Sequence, residues 1–214
     1  MWHHQQSRGL HGHLVEVIER SRNALEHVTE ALCDPGPGAA SALPDAGKAL
    51  HELRRAVEGQ ALAITETRFA SAAVTVRTVV VAAQVNADAE GVEGLARRLA
   101  EIAGSRPGRP AAPAGVQAVV CRMGRICTDM MATAGSAARS PGTGTQVRIE
   151  AAGAEVRRLR QQLYRVLLHD RAAVDVDAAL DAALACRYYA RCAELAGSMA
   201  RHAILGATSR KARQ

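Results

Sequence analysis

The strongest constraint on this chain is a single interruption. Residues 104–115 read Gly-Ser-Arg-Pro-Gly-Arg-Pro-Ala-Ala-Pro-Ala-Gly. Proline has no backbone N–H and clashes with the preceding helical turn, so this segment cannot continue a helix. It falls near the middle of 214 residues and divides the chain into two halves of similar length.

Both halves carry apolar residues at helical spacing. Leu14, Val17, Ile18, Ser21, Leu25, Val28 and Leu32 form one stripe over 14–33, stopped by Asp34-Pro35-Gly36. Leu50, Leu53, Val57, Ala61 and Ile64 form a second over about 46–67. Residues 71–103 are ambiguous at first sight, because Val74, Val76, Val79, Val80 and Val81 suit a strand. The length without a turn signal predicts one long helix instead, with Gly91 and Gly94 as tolerated weak points that cost about 1 kcal/mol each. After the linker, Val116, Val119, Val120, Met123, Ile126 and Met130 mark a fourth helix. A loop is expected over 135–145. Val156, Leu159, Leu163, Val166 and Leu167 mark a fifth helix, ending near His169-Asp170. A sixth is expected from about Asp175 to Leu205, capped by Gly206.

The expected fold is therefore all-α, a tandem repeat of two three-helix bundles with six helices in total. Leu95-Ala96 and Leu195-Ala196 are identical pairs in the long third helix of each half. The expected division is a first repeat over 1–104, the linker 105–115, a second repeat over 116–206 and a basic tail over 207–214.

Composition agrees with helices. Hydrophobic residues make up 48% but aromatics only 2%, so the core is drawn from Ala, Val and Leu. The formal charge of +6 includes Arg106, Arg109, Arg210, Lys211 and Arg213, with no dense basic stripe interleaved with aromatics. No nucleic-acid partner is expected. Five cysteines (Cys33, Cys121, Cys127, Cys186, Cys192), odd in number and without a CxxC, predict reduced, partly buried thiols and a cytoplasmic protein. The N-terminal MWHHQQSRGLHGH has no apolar signal core and is expected as a solvated, frayed terminus, although His11, His13 and Glu16 have metal-ligand character. No uncharged apolar run reaches about 18 residues, the nearest, Ser71 to Val85, being interrupted by Arg77, so no direct membrane insertion is expected.

Catalytic motifs are missing. There is no G-x-S-x-G, P-loop or G-x-G-x-x-G; Gly142-Thr143-Gly144-Thr145 lacks the lysine of a phosphate cradle; and the Glu-x-x-His pairs of ferritin-like carboxylate enzymes are absent. No enzyme activity is expected.

At the motif level, the chain resembles the PhoU family of phosphate-regulatory proteins, in its actinobacterial branch. Ala87-Asp88-Ala89-Glu90-Gly91-Val92-Glu93-Gly94-Leu95-Ala96 is similar to the family's ADxERxGDLA, and Val76-Arg77 to the Leu-Arg pair before it. Arg187-Tyr188-Tyr189-Ala190-Arg191-Cys192-Ala193-Glu194-Leu195-Ala196 is similar to RYxERxADHA, and the stretch from Leu163 to Arg171 to the end of the family's fifth helix. The resemblance implies the tandem three-helix fold. It also implies a non-enzymatic adaptor between a phosphate ABC transporter subunit and a phosphate-sensing histidine kinase, peripheral at the inner face of the membrane through those partners. A homodimer is compatible with it. The alternative is a diverged PhoU-like scaffold that binds another helical protein.

In the family these motifs supply metal ligands. A carboxylate pair at i and i+4 faces one way on a helix, and two such pairs on neighbouring helices suit iron, zinc or manganese. Here Gly94 removes the partner of Glu90, and Ala190 removes the partner of Glu194. Asp88 and Glu93 point roughly 160° and 60° away from Glu90 on a wheel of about 100° per residue. No metal cofactor is expected; Glu90 and Glu194 are the residues that would hold one. Otherwise they are polar-face residues, with Glu194 paired to Arg191. Arg77, which interrupts an apolar run, is read either as a partner contact or fold-specifying ion pair, as the resemblance implies, or as an outward arginine whose stem covers apolar surface. Arg77, Asp88, Glu90, Arg191 and Glu194 are thus the candidate motif and partner-contact residues.

Overall fold

The computed structural model describes residues 2–34, 51–52, 54–59, 61, 72–105, 112–169 and 175–211. Among them there are six helices and no strand. α1 spans Trp2–Cys33, α2 is described at 51–52, 54–59 and 61, α3 spans Ala72–Gly104, α4 Ala114–Arg139, α5 Thr145–His169 and α6 Val176–Lys211.

The predicted stripes are the buried faces. All seven residues of the first are buried, and Ser21 satisfies its hydroxyl on the Val17 carbonyl one turn back. In α2, Val57 and Ala61 are buried; Leu50, Leu53 and Ile64 lie outside the described residues. The valine-rich run is helical throughout α3. Val156, Leu159 and Leu163 of α5 are buried, whereas Val166 is exposed and Leu167 half-buried.

Helix ends differ from expectation at three places. α1 begins at Trp2, not at residue 14, and Leu10 is fully buried, which anchors the turn ahead of the predicted start. α4 runs through the expected loop to Arg139. Gly135 is not a stop there but a contact: a Cβ on it would stand 2.7 Å from Glu19 Oε1 of α1. The real stop is Ser140, extended because Pro141 follows it, and the turn to α5 uses Gly144 at φ 85°. α6 passes through Gly206 to Lys211, so most of the expected basic tail is helical. Asp175 caps its start by accepting the N–H groups of Asp177 and Ala178 at 3.0 and 3.2 Å.

α1 packs on α3 and α4, and α6 packs on α3, α4 and α5. The helices α1, α3, α6 and α4 thus form a closed ring, flanked by α5 against α4 and α6. One hydrophobic cluster runs through all of them and takes in Val57 and Ala61 of α2. Alanines 82, 89, 134, 185, 196 and 200 are fully buried, which lets the backbones approach closely in a nearly aromatic-free core.

Tyr189 is the exception. It is fully buried, and its hydroxyl meets Thr29 Oγ1 of α1 at 2.9 Å, while Thr29 donates to the Leu25 carbonyl at 2.7 Å. Gly124 of α4 makes room: a Cβ there would lie 2.5 Å from Thr29 Cγ2 and 2.9 Å from Tyr189 Cζ. Cys127 Sγ donates to the Tyr189 carbonyl at 3.1 Å. Three helices meet at this point.

The cysteine reading needs correction for two of the five. Cys33, the last residue of α1, is disulfide-bonded to Cys121 in the second turn of α4, across a sequence separation of 88. Beside the bridge, Gln117 donates to the Leu32 carbonyl, one of those left free at the end of α1. Cys127, Cys186 and Cys192 are free and buried. Burial pushes Cys186 up to about 11, opposed by the Arg160 charge, and Cys192 up to about 12; burial and then the neighbouring Cys192 push Cys127 well up. Thiolate is the reactive form. At pH 8, unreduced native protein should therefore react with a disulfide thiol reagent at least about a hundredfold more slowly than an exposed cysteine. Three thiols should titrate on denaturation and five after reduction. Rapid titration of any thiol in the native state would contradict this burial.

Candidate functional site

The first carboxylate motif lies on α3, facing α2. Arg54 of α2 is buried and reaches Glu90 with Nη2 at 2.9 Å and Glu93 with Nη1 at 3.1 Å. One turn along each helix, Asn86 donates to Glu58 at 2.7 Å. Residues 86, 90 and 93 share a face of α3, as 54 and 58 do on α2. The two contributions are unequal. Glu93 is 19% exposed and Glu90 69%, so the Glu93 bond is the less screened one and the Glu90 bond resembles an ordinary surface pair.

This face is occupied by a guanidinium, a permanent cation. Glu90 and Glu93 do converge despite their roughly 60° separation, but on Arg54. Among the described residues, no three His, Cys, Asp or Glu side chains cluster in a way that could hold a metal ion. Sequence reasoning missed Arg54, although a signal exists: it sits on the same stripe as Val57 and Ala61.

Asp88 faces the other way, toward α6. Its Oδ2 stands 3.5 Å from His202 Nδ1, and both atoms are buried. Gly91, where the family's pattern has arginine, lies under Leu195 of α6. A Cβ there would be 2.8 Å from Leu195 Cδ1, so the glycine serves the α3–α6 contact. Gly94 has open space above it.

The second motif lies on α6. Arg191 and Glu194 pair at 2.6 Å on the exposed surface, as the sequence suggested. Ala190, Ala193, Glu194 and Gly197 form one wall of a groove of about 280 Å³ between α5 and α6, with Met130 of α4 at its base. Arg157 and Arg160 of α5 and Arg201 of α6 line it as well. These three arginines were not singled out in the sequence, where nothing marks them from the other arginines. Arg77 is exposed on α3, beside the exposed Val76 and Val80. The structure does not bring Arg77 and Arg191 into one site.

No helix among the described residues is long and apolar enough to cross a membrane. No family model matches the chain, and no curated protein matches it in sequence. Among solved structures, it is similar to the crystal structure of PhoU from Pseudomonas aeruginosa, with a TM-score of 0.84 and 18% identity, over 94% of this chain and 96% of that one. At that identity the likeness establishes the fold, an all-helical PhoU-like bundle.

Proposed function

We propose that this chain is a non-enzymatic, PhoU-like regulator of phosphate uptake. In this reading it is cytoplasmic and acts as an adaptor between a phosphate ABC transporter subunit and a phosphate-sensing histidine kinase. The observation that carries the reading is the match in architecture to a PhoU over nearly the full length of both chains. It is supported by the motif resemblance on α3 and α6 and by the lack of any catalytic constellation among the residues described above. Long helical grooves can accept an amphipathic partner helix.

A second reading is favoured by Arg54. If the metal face has been rebuilt as an ion-pair face, the chain is a diverged scaffold that binds a different helical partner. Deleting the gene separates the two. The regulator reading expects phosphate-uptake genes to rise severalfold in phosphate-rich medium, and a kinase or transporter subunit to be recovered with the tagged protein. Arg191→Glu should weaken that recovery with little change in melting temperature, because its exposed pair with Glu194 contributes at most about 1 kcal/mol. Unchanged expression, with neither partner recovered, would favour the scaffold reading.

A further inference from the structure

The α5–α6 groove has an unusual charge arrangement. Arg157, Arg160 and Arg201 line it, and among the described residues none of the three forms an ion pair. The groove's two carboxylates are engaged elsewhere: Glu150 accepts from Gln146 Nε2 at 2.7 Å, and Glu194 from Arg191 Nη1 at 2.6 Å. The two helices present the same local pattern, glycine followed four residues later by arginine. Arg157 Nη1 lies 3.6 Å from the point where a Cβ on Gly153 would stand, and Arg201 Nη1 lies 3.5 Å from the corresponding point on Gly197. Two guanidiniums thus fold back over bare backbone from opposite walls, and Arg160 joins them from α5. With Glu194 already offset by Arg191, Glu150 is the one carboxylate left against three permanent cations around this cavity, and an anion lying between the arginines would offset the positive excess.

We propose that this groove is a binding site for a phosphate group. Planar guanidinium forks match tetrahedral phosphate oxygens, and a dianion offers oxygens to all three arginines where a single carboxylate has only two. The cavity is large enough for orthophosphate or for the phosphate end of a small phosphorylated molecule. Ala190 fits this use: a carboxylate there would add a negative charge to the same wall. The site rests on the groove's own side chains and not on the regulator reading. Measured binding without derepression in the deletion strain would keep the site and reject the regulator, and the converse result would do the opposite.

The test is calorimetric titration of the full chain at constant ionic strength, in chloride buffer at pH 7.5, with orthophosphate, pyrophosphate and ATP as separate probes. Saturable binding with Kd below about 1 mM is expected for at least one probe. Arg157→Ala, Arg160→Ala and Arg201→Ala should each weaken it at least tenfold. Arg125→Ala, an exposed arginine of α4 outside the groove, should leave it within twofold, and Glu194→Gln should strengthen it. Orthophosphate binding as tightly as ATP identifies free phosphate as the source, whereas binding of pyrophosphate or ATP alone identifies a phosphorylated small molecule. Melting temperatures of the variants confirm that they fold. The proposal fails if no probe saturates, or if Arg125→Ala is as damaging as the groove variants, because binding would then be diffuse surface charge.

Discussion

Tyr189→Ala is expected to destabilise the protein by about 3–5 kcal/mol, the range for removing a fully buried aromatic side chain. Tyr189 sits where α1, α4 and α6 meet, with Thr29 on one side and Gly124 on the other. Removing the ring leaves a cavity that its neighbours cannot fill. Thr29 is held by its bond to the Leu25 carbonyl, Gly124 has no side chain to extend, and Cys127 is bonded to the Tyr189 backbone. Tyr189→Phe isolates the hydroxyl. Thr29 keeps its bond to Leu25, and loss of the Tyr–Thr hydrogen bond costs about 1 kcal/mol. Denaturant titration followed by circular dichroism measures both, and they should differ by at least about 2 kcal/mol. Equal losses would mean that the hydrogen bond, and not the packing, holds this junction.

The helical stripes were legible because periodicity survives in any context, as from Leu14 to Leu32 and from Val116 to Met130, whereas the ambiguous valines of α3, which include the exposed Val76 and Val80, point to a helix through the length of the run without a turn signal. What failed was the reading of single residues by their usual local meaning. Gly135 and Gly206 looked like stops, yet each lies inside a helix beside a neighbour, Glu19 and Val81 respectively. Local propensity yields there to tertiary packing. The polar N-terminus looked frayed, but Leu10 is buried. The Cys33–Cys121 bridge joins residues 88 apart and no spacing rule reaches it. The candidate site was half legible. Its carboxylates could be found from the motif, but Arg54 and the groove arginines could not, because their meaning depends on which helix packs beside them.

Arg54→Glu is the second large effect, with an expected loss of about 3–5 kcal/mol at neutral pH, the range for leaving buried charge uncompensated. Arg54 is buried, so the reversal places an unpaired carboxylate where water hardly reaches and turns the little-exposed Glu93 from an attraction into a repulsion, while the exposed Glu90 adds less. Arg54→Met separates the contributions. It removes the cation without adding charge, keeps much of the stem's apolar contact, and should cost less. Reversal also gathers three carboxylates at one point, an oxygen-donor set of the kind that suits manganese. The melting temperature of Arg54→Glu should therefore rise with added Mn²⁺, recovering about 2.7 kcal/mol at a hundred times the Kd. The native protein, in which Arg54 already occupies Glu90 and Glu93, should not respond at this face, and neither should Arg54→Met. Elemental analysis of the native protein should find no stoichiometric iron, zinc or manganese that depends on Glu90. If Mn²⁺ stabilises the native protein as much as the reversal variant, the ion binds elsewhere and Arg54 has not taken the metal's place.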